Sequence, residues 1–279
     1  MALNEALGKP GRRPPVVLLH SSGMSSRQWG RLVEMLERTH RVIAPDLLGS
    51  GANPPWPDEK LFDLSEDVDV IEALVERLGE PAHVVGHSYG GLLALKLARR
   101  NPSRIRSLTV YDPVAFGVLH AAKDEEGLAD LARAGRNPLF TDFARGGSDP
   151  WFEVFVDYWN GPGAWRGLTE AGRESFLRVG RKVFFEVWSL MHDRTPASAY
   201  AGIGAPTLFL GGETSPPAAQ RVVALLGPTL PRGRVVTVPG AGHMGPLTHA
   251  AFVNDAIAAH IANAPQDPGN MSFAAPAAE

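Results

Sequence analysis

Hydrophobic and polar positions fall into two kinds of block along this chain. Short, wholly apolar runs, such as Val16 to Leu19 and Ala82 to Val85, end at glycine, proline or aspartate, the pattern of strands buried on both faces. Longer stretches carry apolar residues every third or fourth position. Leu64, Val68, Ile71, Leu74, Val75 and Leu78 form such a stripe, with Gly79 placed to cap a helix C-terminus. The pattern predicts strands over 16–19, 41–44, 82–85, 105–111, 206–210 and 234–238. It predicts helices over 26–38, 64–78, 90–101, 217–226 and 247–263. Strands alternating with helices imply an α/β fold: a mostly parallel open sheet with helices on both faces.

The alternation stops between Asp112 and Ile203, a stretch too long for a plain connection. We read an inserted helical cap over 113–200, a core made of 15–112 and 201–263, an N-terminal segment over 1–14 and a disordered tail over 264–279. The insertion holds 14 of the chain's 22 aromatic residues. Packing explains most of them, and others are expected to line an apolar substrate chamber. Trp151, Phe155 and Trp159 are the candidates for that lining.

Charge and cysteine usage remove whole classes of function. With 27 Lys+Arg against 30 Asp+Glu and a net charge of -3, there is no basic field for a phosphate backbone, so nucleic acid is not an expected partner. The absence of cysteine excludes a disulfide framework, a thiolate metal site and a cysteine nucleophile. The apolar-rich run near the N-terminus is too short for a signal sequence or a membrane span, which reads as a cytoplasmic protein without a membrane partner. No cofactor or metal is expected. The partner expected is a small apolar molecule, and a homodimer stays open.

The string Gly86-His87-Ser88-Tyr89-Gly90-Gly91 matches G-x-S-x-G. In a chain with 30 glycines the string alone says little; its position says more. It follows an apolar strand and opens directly onto a helix, the strand-turn-helix that holds a serine in a strained, exposed position. A serine hydroxyl needs a base. Of nine histidines, His243 lies in a glycine-rich loop after the last strand, at the same sheet edge as Ser88, where ligands bind in open α/β sheets. His249 and His260 fall in the final helix, His83 in a strand, and His40, His120 and His192 near element ends. His20 and His87 flank the site as supporting structure.

At these residues the chain resembles the α/β-hydrolase superfamily, in particular its capped, cofactor-independent members such as esterases and meta-cleavage-product C–C hydrolases. The resemblance spans about residues 15 to 263 and rests on LLHSSG, APDLLGSG, VVGHSYGG and GAGHMGPL in that order. It implies Ser88 as nucleophile, His243 as base, and the backbone N–H groups of Ser22 and Tyr89 as oxyanion hole. Serine at this position argues against dehalogenases and epoxide hydrolases, which use an aspartate there.

Three departures from the family pattern matter. Too few residues precede Val16 for the family's first two strands. The usual His-Gly reads His20-Ser21, a change expected to narrow the oxyanion loop or add a polar contact. Where the family writes Gly-Glu-x-Asp, this chain has Gly212-Glu213-Thr214-Ser215, so the usual acid slot holds a serine. A hydroxyl cannot stabilise an imidazolium as a carboxylate does. Asp112 and Glu213 are the two substitutes, and Asp112 is favoured because its strand adjoins the nucleophile's strand in the family's sheet order. The function expected is hydrolysis of an ester or lactone of an apolar or aromatic small molecule through an acyl-enzyme. The alternatives are C–C bond hydrolysis, for which Arg166, Arg173, Arg178 and Arg181 could bind carboxylates, and a ligand receptor.

Overall fold

The computed structural model describes residues 13–265. Most of the expected N-terminal segment (1–12) and tail (266–279) lies outside the described residues.

Six strands form one sheet: β1 (Val16–Leu19), β2 (Val42–Ile43), β3 (Ala82–His87), β4 (Ile105–Tyr111), β5 (Thr207–Gly212) and β6 (Gly233–Val238). Their order is β2-β1-β3-β4-β5-β6, and every neighbouring pair is parallel. Both faces are covered, which is why the strands read as unbroken apolar runs. Val16 and Leu18 pack with Trp29, Leu32 and Ile257 on one face. Val17 and Leu19 pack on the other with the stripe of Val68, Ile71 and Val75. Alternate side chains of a strand point to opposite faces, so each buries half of β1.

The core helices are α1 (Gly30–Leu36), α2 (Leu64–Leu78) and α3 (Tyr89–Arg100). The expected helix over 26–38 is shorter, because Ser26–Trp29 winds as a 3-10 turn and the α-helix begins at Gly30. α2 starts at Asp63, whose side chain accepts from the Ser65 N–H, and ends at Gly79 with φ 76°.

Between β4 and β5 lie six helices: α4 (Gly117–Ala122), α5 (Glu125–Gly135), α6 (Asp149–Asn160), α7 (Ala164–Gly167), α8 (Glu170–Val179) and α9 (Arg181–His192). The chain closes with α10 (Pro217–Leu226), α11 (Gly245–Thr248) and α12 (Ala250–Ala262). The insertion has no separate core: Trp151, Phe152, Phe184 and Phe185 belong to the same apolar cluster as Leu19 and Val84.

A buried ionic cluster also joins it to the sheet domain. Lys182 of α9 donates to Asp67 of α2 at 2.8 Å and to Glu186 one turn on, and all three are fully buried. Asp67 accepts further from the Tyr89 hydroxyl and the Leu48 N–H. The opposite charges and these hydrogen bonds together offset the cost of desolvation.

Candidate active site

Ser88 occupies the turn from β3 into α3 with φ 54° and ψ -116°, a conformation a side chain rarely adopts. The turn closes only around glycine. A Cβ on Gly86 would sit 2.2 Å from the Gly90 carbonyl oxygen, and one on Gly90 would sit 2.3 Å from that of Leu19. α3 then begins beneath Ser88 with its first N–H groups unpaired by the helix.

His243 is carried by the loop after β6, which two neighbours pin through its backbone. His87 Nε2 donates to the His243 carbonyl at 2.8 Å, and the Tyr111 hydroxyl donates to that of Gly242 at 2.7 Å. The His87 bond requires a proton on Nε2. Burial, and then the neighbouring His243, hold its pKa well below the usual value, so the ring stays neutral. His20 is a fixed neutral ring too: it accepts from the Leu47 N–H at Nε2, bonds the Ser21 carbonyl through Nδ1, and is lowered to about 4 by burial.

The three side chains meet. The Ser88 hydroxyl donates to His243 Nε2 at 2.9 Å, and His243 Nδ1 donates to Asp112 Oδ2 at 3.1 Å. Asp112 follows β4 at φ 41°, fully buried, and register places it there: His87 pairs with Tyr111, so the residues after each strand are neighbours. Its carboxylate also accepts from the Ser215 hydroxyl at 2.5 Å and the Gly212 N–H at 3.2 Å. Ser215, in the slot where an aspartate was sought, therefore supports the carboxylate rather than replacing it. Glu213 is exposed and accepts from the Gly240 N–H at 2.7 Å, the role of a turn cap.

Among the described residues neither the Ser22 nor the Tyr89 N–H has a protein acceptor, and Ser22 and Ser88 line the same cavity. Ser21 does not intrude: its hydroxyl and N–H both donate to Gln28 Oε1.

Above Ser88 lies a cavity of about 270 Å³ walled mainly by Val114, Phe116, Leu131, Phe155, Val187 and Met191. Of the three aromatic candidates, Phe155 and Trp159 reach it. Trp151 does not: it is fully buried behind Phe155, stacked on that ring with centroids 5.2 Å apart. Trp159 also stacks on His243, centroids 3.8 Å apart and planes 19° from parallel. A ring face so placed fixes the plane of the imidazole. A second, smaller crevice of about 30 Å³ adjoins His243, between Met24, Trp159, Phe176 and Met244.

The four arginines considered for carboxylate binding are engaged elsewhere. Arg166 pairs with Glu153, Arg173 donates to Leu168, Arg178 to the Gly51 and Asn53 carbonyls, and Arg181 to Phe143. Three residues escaped the reading by pattern. His192 and Arg194 line the outer cavity, and Glu186 lies against the Ser22 hydroxyl. A charged residue inside the apolar α9 was the only available signal for Glu186, which burial pushes above the ordinary carboxylate range.

Residues 16–256 match the model of an alpha/beta hydrolase family. Over 110 residues the chain is 34% identical to a cis-3-alkyl-4-alkyloxetan-2-one decarboxylase from Shewanella oneidensis, covering 38% of this chain and 34% of that protein. Over 130 residues it is 36% identical to a pimeloyl-[acyl-carrier protein] methyl ester esterase from Aeromonas hydrophila, covering 46% and 48%. The matched stretch thus spans a third to a half of these curated relatives. A solved meta-cleavage product hydrolase superposes with a TM-score of 0.66 at 22% identity, over 92% of this chain and 93% of the other, a likeness of fold. Among the described residues no helix is long and apolar enough to cross a membrane.

Proposed function

The chain belongs to the alpha/beta hydrolase family, and we propose that within it the protein is a serine hydrolase of small-alcohol esters or lactones with an apolar acyl group. The observation that carries this reading is the unbroken run Ser88–His243–Asp112, with bonds of 2.9 and 3.1 Å, at the floor of an apolar cavity.

In this reading Ser88 Oγ attacks the ester carbonyl as its proton passes to His243 Nε2. Asp112 holds the ring through Nδ1–H and stabilises the imidazolium, with Trp159 against its face. The carbonyl oxygen gains the negative charge and is held by the Ser22 and Tyr89 N–H groups. The imidazolium then returns its proton to the departing alcohol oxygen, leaving an acyl-enzyme. Water, deprotonated by the same nitrogen, attacks it, releases the acid and restores Ser88.

The two spaces beside Ser88 divide the substrate. The leaving oxygen must lie within hydrogen-bond reach of His243 Nε2, and it is the 30 Å³ crevice that His243 lines. A small alcohol fits there, and the acyl group fills the 270 Å³ cavity beneath the inserted helices, which act as a cap. The esterase among the relatives, a methyl ester esterase by name, agrees with a small leaving group. C–C bond hydrolysis loses support because none of the arginines considered for it lines either space beside Ser88.

The test is a series of methyl esters of straight-chain acids, followed by acid release. Turnover should rise from acetate to medium chains as methylenes enter the cavity, by up to about 0.8 kcal/mol each. Equal rates across the series, or cleavage of bulky-alcohol esters alone, would contradict this division.

A further inference from the structure

The cavity is apolar along its length and polar at both ends. At the buried end are Ser22 and Ser88; at the other are the exposed His192 and Arg194 and the half-buried His120. Helix α9 forms the wall between them. Glu186 lies against the Ser22 hydroxyl, Val187, Leu190 and Met191 line the cavity, and His192 ends the helix. At about 1.5 Å per residue, Glu186 and His192 are separated by roughly 9 Å along the axis.

Arg194 caps α9 with only part of its guanidinium. Nη1 donates to the Met191 and Asp193 carbonyls at 2.7 and 2.9 Å. Among the described residues Nε and Nη2 have no acceptor, and no carboxylate pairs with Arg194 or His192. The adjacent Asp193 is turned to Lys96, 3.1 Å away, and to Thr195. His192 donates its Nδ1–H to the Trp188 carbonyl, so in the neutral ring Nε2 is an acceptor and the donors offered to an anion here are those of Arg194. Among the described residues no acidic side chain lines the cavity. A guanidinium with two spare donor positions at the rim of an apolar tunnel matches a planar or tetrahedral oxyanion.

We propose that Arg194 binds an anionic group, carboxylate or phosphate, at the far end of an acyl chain whose ester carbonyl lies at Ser88. The substrate class is then an ω-anionic acyl ester, its apolar spacer lying along Val187, Leu190 and Met191. This inference rests on the ester-hydrolase reading, and its test separates the two.

Three methyl esters with eight-carbon acyl chains differ only at the tip: methyl octanoate, monomethyl suberate and an ω-phosphono octanoate methyl ester. Apolar burial alone favours the octanoate. The proposal expects the anionic esters to exceed it roughly tenfold in kcat/KM, mainly through KM, as a charge-assisted hydrogen bond provides. The better of the two anionic arms identifies the group. Arg194→Gln should erase the preference and leave methyl acetate hydrolysis unchanged, and Arg194→Lys should keep part of it. Melting temperatures show whether loss of the α9 cap has disturbed the fold.

Equal or lower rates for the anionic esters in the parent protein, or a ratio unchanged by Arg194→Gln, would overturn the proposal. Should no methyl ester be cleaved, acetate included, the hydrolase reading fails, and calorimetric binding of monomethyl suberate decides the inference by itself. Binding about tenfold tighter to the parent than to Arg194→Gln supports it; equal or undetectable binding overturns it.

Discussion

The strand-end residues and the aromatic residues of the insertion meet in one cavity, yet they are held there by different means. Ser88 and Asp112 both stand at positive φ directly after a parallel strand, and His243 is fixed by bonds to its own backbone and that of Gly242. Their positions follow from main-chain geometry that few sequences can supply. Phe155, Trp159 and Met191 are placed by packing between helices, where another apolar side chain of similar volume would also fit. Under the proposed ester-hydrolase reading, the difference puts reaction chemistry at the sheet edge and selectivity in the insertion. Trp159 is the exception that joins them, because it lines the cavity and stacks on His243.

Variants on the two sides should therefore fail in different ways. At the sheet edge, Ser88→Ala should lower ester turnover by roughly five orders of magnitude with KM and melting temperature little changed. Asp112→Asn keeps shape but removes the charge opposing the imidazolium, and should cost about 10⁴ in kcat, as in the serine-protease precedent. Glu213→Gln touches only the Gly240 turn and should cost a few-fold at most. Kinetics on one methyl ester compare all three.

Within the insertion the two tryptophans of α6 should separate. Trp159→Leu removes the ring face on His243 and should lower turnover even of methyl acetate, by about tenfold. Trp151→Leu should leave the selectivity profile intact and instead destabilise the fold by about 2–4 kcal/mol, since it leaves a cavity in a packed core. Denaturant unfolding beside a substrate panel reads both. A shifted profile in Trp151→Leu at unchanged stability would place that residue in the chamber after all.

A last expected effect concerns pH and separates stability from catalysis. Burial lowers His20 to about 4 and His83 to about 3, whereas unfolded histidines take up a proton near 6.5. Between those values the unfolded chain binds more protons, so stability is full above about pH 6.5 and declines as pH falls towards 4. Each ring contributes on the order of 3 kcal/mol to that decline. Unfolding free energies at pH 7.5 and 5.0 should differ less in His83→Gln than in the parent; equal differences would refute the assignment.

Much of this was legible in the sequence, for a physical reason. Strands buried on both faces must be apolar throughout, and helices covering a sheet must show a stripe, so the alternation was readable to within a few residues. Ser88 and His243 stood out because the turns that present them require glycine. The acid was harder, because Ser215 fills the usual slot and only the pairing of β3 with β4 brings Asp112 to the ring. Trp151, Phe155 and Trp159 lie four residues apart on one helical stripe, so periodicity cannot separate them. Their depths differ because α6 enters the core at its N-terminal end and reaches His243 about 12 Å further along. Lys182 and Asp67 are 115 residues apart, and no local pattern pairs them.

Activation of Ser88 by His243 and Asp112 is the proposal on which the rest depends. It is tested most directly by fluorophosphonate labelling with peptide mapping, which requires no knowledge of the substrate. A single adduct is expected, on Ser88, formed at least a hundredfold more slowly in Asp112→Asn and at the parent rate in Glu213→Gln. An adduct on another residue, or equal labelling rates in the parent and Asp112→Asn, would contradict it.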